Sequence, residues 1–574
     1  MAMTEAHKRR EKAMHRITTL RTDREKGWDP HWRSVATNLL PRHSRFLVDN
    51  TNRGERVNTS IIDSEGTRAL RILAAGMMAG MTSPARPWFR LGLPDDDMAE
   101  QHAVKVWLDD ATKLLLKIFR KSNTYNTLHD MYRELGGFGT GCAIIRPNFE
   151  RVIHHNPMTI GSYALGTNDE GFVDKLSREF KLKVEQAIQW FGKDALSPSA
   201  ISAYDNGNYG YEIKVSQIIE PNPDRNRNAP GPKSMAFRSS YWNAADEGPR
   251  AGLLSEGGFG QFPALCPRWD IIWGDTYGFS PGMEALGDLL QLQFNQSRKA
   301  KGIDYQTDPP LQVPTQLRGQ NADFLPGGVS YYDASNPHAG IRTAFEVQLD
   351  MQYLLEDIRD VRGRIDSAFY ADMFLMLSQT DKTNMTATEV AERNEEKLLM
   401  IGPVLERLHN ELLEPLVSFT FQQCLKAGIL PPIPEELNGV ELQVEFVSTL
   451  AQAQKAVSVN STDRLLGHIG LLVELGGGDP SPMDKFNKDK SIERYADQLG
   501  VDPDLIVADD RVALIRNDRA QQAAAAAQAE QAEKLAGAMQ KAGTVSTGAM
   551  PQENAANDIM NLFSGYQTPS AVEL

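Results

Sequence analysis

Through its first part the chain places apolar residues at helical spacing. Thr4–Lys26 is charged and helix-prone, Trp28–Leu40 is a second helical pattern ended by Pro41, and Asp63–Met81 is a third. In that third stretch Ala69, Ile72, Leu73 and Gly76 make a small-residue face, and a fourth helix is expected from about Ala99 to Phe119. Pro84 and Pro87 then force an extended segment whose Trp88 and Phe89 cover a core. From Cys142 the period changes: "CAIIRP", "SREFKLKVE", "YEIKVSQIIEP", "MAFRSSYW" and "FPALCPRWDII" are short runs with strand-like content, separated by Gly, Pro and Asn. A β-rich part over about 142–270 is therefore expected inside an otherwise helical region spanning 1–280.

Helical periodicity returns at Ser280-Pro281, with Ser as N-cap and Pro in the first turn, and runs to about Tyr305 before Asp308-Pro309-Pro310 stops it. Residues 306–345 are rich in Pro and Gly and read as a small strand-and-loop module. Glu346–Phe374 reads as a long helix with one apolar stripe: Val347, Met351, Leu354, Ile358, Val361, Ile365 and Phe369. A thin helical pair does not bury such a stripe fully, so it is expected to pack between copies of the chain. Glu346, Asp350, Asp357 and Asp360 occupy a neighbouring face, either a plain solvated surface or an acidic strip with a role. Leu375–Met385 is a polar break, and Thr386–Glu389 opens a further helix with a capping-box pattern, kinked at Gly402-Pro403. The region 386–508 ends in short helical pieces, and Asp509–Lys541 is an Ala/Gln/Glu helix with little apolar surface of its own. The pattern as a whole is α+β and mainly helical.

Composition narrows the function classes. The 574 residues carry 75 acidic side chains against 61 lysines and arginines, a formal net charge of -14, which disfavours a broad surface that grips phosphates. Three widely spaced cysteines, Cys142, Cys266 and Cys424, argue against a disulfide framework and for a reducing compartment. The longest apolar run is cut by Arg71 on one side and by Pro84, Arg86 and Pro87 on the other, too short for a spanning helix. The opening "MAMTEAHKRREKAMHRI" lacks the apolar centre of a secretory signal. No phosphate-binding loop, nucleophile elbow or H-E-x-x-H pattern occurs, "GGFGTGC" precedes a strand and reads as close packing, and the adjacent His154-His155 pair lacks companions for a metal. An enzyme is not expected, and no cofactor is expected.

The segments "AAGMMAGMTSPARPWFRL", "WDIIWGDTYGFSPGMEALGDLLQLQ", "DPPLQVP", "LPGGVSYY", "DMFLM" and "NMTATEVAERNEEKLLMIGPVLERLHNELLEPLV" with "AGILPPIP" resemble the portal, or head-to-tail connector, proteins of short-tailed podovirus-type bacteriophages. The resemblance runs from about Arg33 to Val447. It implies a homo-oligomeric ring of about twelve subunits at one capsid vertex, through which double-stranded DNA is packaged and later ejected. It also implies the major capsid protein and scaffold, a terminase packaging motor and tail adaptors as partners, with assembly in the host cytoplasm. By the same likeness 281–305 and 346–374 are the two stem helices, 306–345 the clip, 375–385 the tunnel loop, and 509–574 a crown helix and tail. Gln379, Thr380, Asp381, Lys382, Thr383 and Asn384 are then expected at the DNA channel, Glu346, Asp350, Asp357 and Asp360 as acidic channel lining, and Arg318, Gln320, Asn321, Asp323 and Phe324 as clip docking residues. The alternative is another ring-forming virion component, such as a tail adaptor or internal scaffold.

Overall fold

The structure is a computed structural model that describes residues 5–43, 45, 58–94, 101–245, 252–308, 310–312, 342–343, 351–379, 401–434, 437, 443–447, 468–469, 489–492, 507 and 509–543. The chain divides into two units, Met1–Gly500 and Val501–Leu574.

In the first unit α1 (Glu5–Gly27) meets α2 (Asp29–Asn38) at a corner held by Arg24, which donates to Asp29 at 3.0 Å and to the Tyr163 carbonyl at 2.5 Å. The small-residue helix α3 (Glu65–Met81) runs through the main core. A β-carbon at Gly76 would stand 2.2 Å from the Phe374 ring, and one at Gly66 2.3 Å from Leu289, so both glycines admit a neighbouring side chain onto the helix axis. Strand β1 (Phe89–Gly92) follows, with Trp88 and Phe89 fully buried and Trp88 stacked on Phe119 of α4 (His102–Lys121). Next comes α5 (Thr124–Phe138), whose Gly136 and Gly137 lie against Leu70, Leu73 and Leu40 and which ends in a left-handed Gly139. The glycine-rich run across the end of α5 thus serves close packing.

The β-rich part forms two sheets. β2 (Cys142–Asn148), β3 (Val152–Met158) and β9 (Ala264–Leu265) are ordered β3-β2-β9. β4 (Tyr163–Thr167), β5 (Val173–Lys183), β6 (Glu212–Pro221), β7 (Phe237–Asn243) and β8 (Ser255–Phe259) make an antiparallel meander in chain order. Alternation along β6 and β7 gives the meander two apolar faces. Ile218 and Trp242 pack on Ala13 and Ile17 of α1, while Ile213 and Val215 pack under α6 (Val184–Phe191) and α7 (Pro198–Asp205).

Ser280 caps the next helix as expected, accepting from the Met283 amide at 2.9 Å. Its hydroxyl also donates to the Gly137 carbonyl, and this tether bends the element: Pro281–Glu284 is a separate turn, and α8 proper is Leu286–Thr307. The short pairs β10 (Leu311–Gln312) and β11 (Arg342–Thr343) lie antiparallel. Helix α9 (Met351–Ala368) packs on α8 and α3. The expected single helix through Phe374 is corrected: Tyr370 adopts a left-handed φ of 55°, and α10 (Ala371–Gln379) starts anew. That turn keeps Phe369 in the core while sending Phe374 onto Gly76. Residues 375–379 are accordingly helical, not loop.

Residues 401–408 are helical through Gly402-Pro403, followed by a π-turn, His409–Leu413, and α11 (Glu414–Ala427), ended by a left-handed Gly428. Pro415 has no amide to give the Glu411 carbonyl, and widening the preceding turn relieves that clash. Thr386–Glu389 lies outside the described residues. β12 (Gln443–Phe446) closes on β1, with Phe446 opposite Phe89.

The second unit is described as one helix, α12 (Asp509–Gly543), whose side chains from 511 to 534 are exposed apart from a half-buried Val512.

Candidate channel and assembly surfaces

The α8–α9 pair is built like a fastened hairpin. Ile358, Val361 and Ile365 are buried and Leu354 is half-buried, all in the core of the same protomer, together with Leu289 and Leu292 of α8. The expectation that this stripe packs between copies is therefore corrected, because α3 and α8 already cover it. Phe369 joins the same core; Met351 opens the helix, and Val347 lies outside the described residues.

Polar residues fix the register. Arg362 donates to Asp63 at 2.7 Å, and Gln293 bridges the Ile62 and Asp63 amides at 2.7 and 2.8 Å. Burial raises the Asp63 pKa, but hydrogen bonds from Arg362, the Glu65 amide and Gln296 outweigh it and hold the carboxylate below its ordinary range. Asp357 accepts from Asn295 at 2.5 Å, and Arg364 reaches both Asp288, at 3.0 Å, and Asp360. Of the four acidic residues, Asp357 thus ties the hairpin together, Asp360 is exposed beside Arg364, and Glu346 and Asp350 lie outside the described residues. With Arg364 paired to Asp360, the described part of the strip carries a cation beside its acids.

Apolar side chains remain exposed on the hairpin: Leu290 (48%) and Phe294 (53%) one turn apart on α8, with Tyr305 further along and Tyr353 on α9. Arg298 lies over the Phe294 ring at 4.1 Å, and Lys299 and Lys301 follow it, favourable for the C-terminal half of a helix. Gln379 is the last residue of α10, whereas Thr380, Asp381, Lys382, Thr383 and Asn384 lie outside the described residues, as do Arg318, Gln320, Asn321, Asp323 and Phe324.

A second fastening joins distant parts of the chain. Glu411, in the π-turn, accepts from the Arg268 side chain at 2.5 Å and from its amide at 2.9 Å, while Arg268 also donates to the Gly171 carbonyl at 2.9 Å. Beside this clamp Trp273 projects into solvent at the rim of a cleft of about 430 Å³, and the adjacent Ile272 is exposed as well. Among the described residues no group of His, Cys, Asp and Glu is placed to hold a metal, and no helix is long and apolar enough to cross a membrane.

A sequence profile for the family described as bacteriophage head to tail connecting protein matches residues 10–507. The chain belongs to that family. It is 51% identical over 548 residues to a probable portal protein of Bordetella phage BPP-1, covering 95% of this chain and 97% of the relative. It is 40% identical over 527 residues to the portal protein of Salmonella phage epsilon15, covering 92% and 93%. A solved neck of an empty GTA particle, computed with C6 symmetry, aligns over 71% of this chain and 86% of its own at 11% identity and a TM-score of 0.35, too distant to bear on the argument.

In this connector subunit the sequence pattern pointed to the hairpin stripe and the acidic positions but missed their partners. Asp63, Arg362 and Arg364 carry no periodic signal that marks them as fasteners. Arg268 and Glu411, 143 positions apart, become a pair only when the fold brings the segment after β9 and the π-turn together.

Proposed function

We propose that this chain is a phage portal subunit: copies close into a ring of about twelve at one capsid vertex of the virion, forming a non-enzymatic conduit for double-stranded DNA during packaging and ejection. Membership of the connector family over residues 10–507 carries the reading. The fastened α8–α9 hairpin supports it, because its own stripe is satisfied internally while Leu290, Phe294 and Tyr353 stay exposed to solvent in one copy. A cyclic ring needs two different patches that meet head to tail, and these side chains supply one. In the ring, 306–345 is the clip that meets the terminase motor and later a tail adaptor, 380–385 carries Lys382 towards the duplex, and 509–543 is the crown. Capsid and scaffold proteins contact the outer rim. A net charge of -14 per copy suits a wall along which phosphates slide.

Electron microscopy of the purified protein tests this directly, with closed rings around a central hole as the expected image. Replacing Leu290 and Phe294 together with Asp should leave each subunit folded and abolish rings. Normal rings from that variant would place the subunit contact elsewhere, and a folded wild type that never forms rings would sink the portal reading.

A further inference from the structure

Between β9 and Ser280 the chain builds a loop whose backbone is fixed and whose tip is bare. Asp270 and Phe279 exchange two backbone hydrogen bonds, at 3.3 and 2.7 Å, and close its base. At the tip the Ile272 carbonyl accepts from the Asp275 amide at 3.0 Å, and Gly274 takes a φ of 98°, in the left-handed region that favours glycine. Arg268, already fastened to Glu411, donates to the Asp275 carbonyl at 3.3 Å, and the Gly278 amide donates to the Thr140 hydroxyl at 2.9 Å. The backbone is thus held from several sides, while the two apolar side chains it presents, Ile272 and Trp273, are 77% and 82% exposed.

Single apolar side chains on a surface need no partner, but these belong to a group. The exposed Phe172 lines the same cleft as Trp273, and a β-carbon at Gly171 would stand 3.7 Å from the indole ring. The cleft is rimmed by acids: Asp169, Glu170 and Glu406 are exposed there. Its two arginines are already engaged, Arg268 by Glu411 and Arg407 by the Trp269 carbonyl at 2.8 Å. A pre-ordered aromatic tip loses little freedom on contact, and tryptophan is prominent among the side chains that dominate binding energy.

We propose that the Ile272–Trp273 knob docks on the exposed Leu290–Phe294 face of α8 in the neighbouring copy, the two forming the unlike halves of one ring contact. This rests on the ring reading above, which requires two different patches and so far has one. Charge complementarity selects the occupant. The exposed Arg298 and Lys301 follow Phe294 along α8, so cations flank its apolar pair as acids flank the knob. A second knob would bring acid against acid, and a like-with-like contact would close at a dimer. The same acids oppose a phosphate backbone.

The test uses the full chain. Ile272→Ala combined with Trp273→Ala should raise the subunit concentration at which half the protein is in rings about tenfold or more, and Trp273→Phe should raise it severalfold. Because both side chains are exposed, the double variant should keep the thermal midpoint of wild type diluted below ring formation. A photoreactive phenylalanine analogue at position 273 locates the partner: irradiated rings should yield crosslinked pairs of copies whose junction maps to the 286–301 part of α8. Unchanged assembly by the double variant, a midpoint lowered by several degrees, crosslinks within one copy, or crosslinks to a neighbour outside 286–301 would each overturn the knob assignment and leave the ring reading standing. A wild type that forms no rings at any concentration overturns the ring reading itself, and the knob assignment with it.

Discussion

Helix α9 hides Ile358, Val361 and Ile365 completely, whereas α12 leaves Leu514 66% and Ile515 46% exposed and carries five consecutive alanines, Ala523–Ala527. α9 is short and buys its stability from tertiary contact: apolar side chains every three or four residues pack on α3 and α8, and three charged or amide fasteners hold it to α8 and to Asp63 just before α3. α12 spans 35 residues, about 52 Å, and rests on the intrinsic preference of alanine, glutamine and glutamate for helix. Packing therefore decides what a substitution does in α9, and backbone propensity decides it in α12. Charges in the α9 stripe, a methyl added to the glycine face that receives α10, a proton on a buried histidine and glycines in α12 probe the two regimes in order of falling effect.

The largest effect is expected from Ile358→Asp combined with Val361→Asp. Each places a carboxylate among residues that offer it no partner, and together they should remove more stability than a domain of ordinary size possesses, about 5 kcal/mol or more. A stripe packed between copies, as its spacing alone suggests, would make the same variant fail in assembly. With the stripe inside the protomer, the expected outcome is loss of cooperative urea unfolding. A folded, soluble variant that merely fails to form rings would show that the stripe faces a neighbour after all.

Gly76→Ala sharpens the contrast, because the same change in an exposed helix adds about 1 kcal/mol of stability. At Gly76 the new methyl would stand 2.2 Å from Phe374, and overpacking should lower stability by about 1–3 kcal/mol instead. Adding Phe374→Leu should recover part of the loss, and a double-mutant cycle by urea unfolding measures how much. Additive losses would mean that the two side chains do not meet.

Acid should act on the packed region through His155, which is buried, contacts the Thr124 hydroxyl at 2.9 Å, and has its pKa lowered to about 4 by burial and by the neighbouring His154. The folded state keeps this ring neutral while the unfolded chain protonates it near 6.5, so its contribution is present above 6.5 and is lost as pH falls towards 4. Between pH 7 and pH 5 that amounts to about 2 kcal/mol. His409, stacked on Phe446 and also lowered to about 4 by burial, adds to the loss with the same sign, though less because it is half-buried. His155→Gln should flatten the pH dependence of the urea midpoint over that window, and an unchanged slope would remove His155 as its source.

Periodicity marked the residues that bury themselves by their own spacing. The α9 stripe, the glycine face of α3 and the alternation of β5 to β7 could be read because each lies within one element. What could not be read depends on pairs far apart in sequence. Asp63 with Arg362 and Arg268 with Glu411 look like ordinary surface charges until the fold removes water from around them. The break at Tyr370 escaped for a related reason. The stripe continues smoothly through Phe369, and only the fit of Phe374 onto Gly76 requires the chain to turn there.

The smallest effect belongs to α12. Ala525→Gly removes one of its best helix formers and should weaken the helix by about 1 kcal/mol, with Ala527→Gly adding a similar amount. No packed side chain is lost at these exposed positions, so the cooperative unfolding of the rest of the chain should not move. The change should appear as lower helical circular dichroism and faster amide exchange confined to 509–543. An isolated alanine-rich helix is marginal in water and frays from its ends, so the unassembled subunit should exchange fast even as wild type. If copies of α12 support one another in a ring, assembly should slow that exchange, and the glycine variants should lose part of the protection while rings persist. Equal exchange in free and assembled protein would leave α12 without support from its neighbours and remove the crown assignment. A fall in the urea midpoint of the whole chain on Ala525→Gly would instead show that α12 is held by packing, as α9 is.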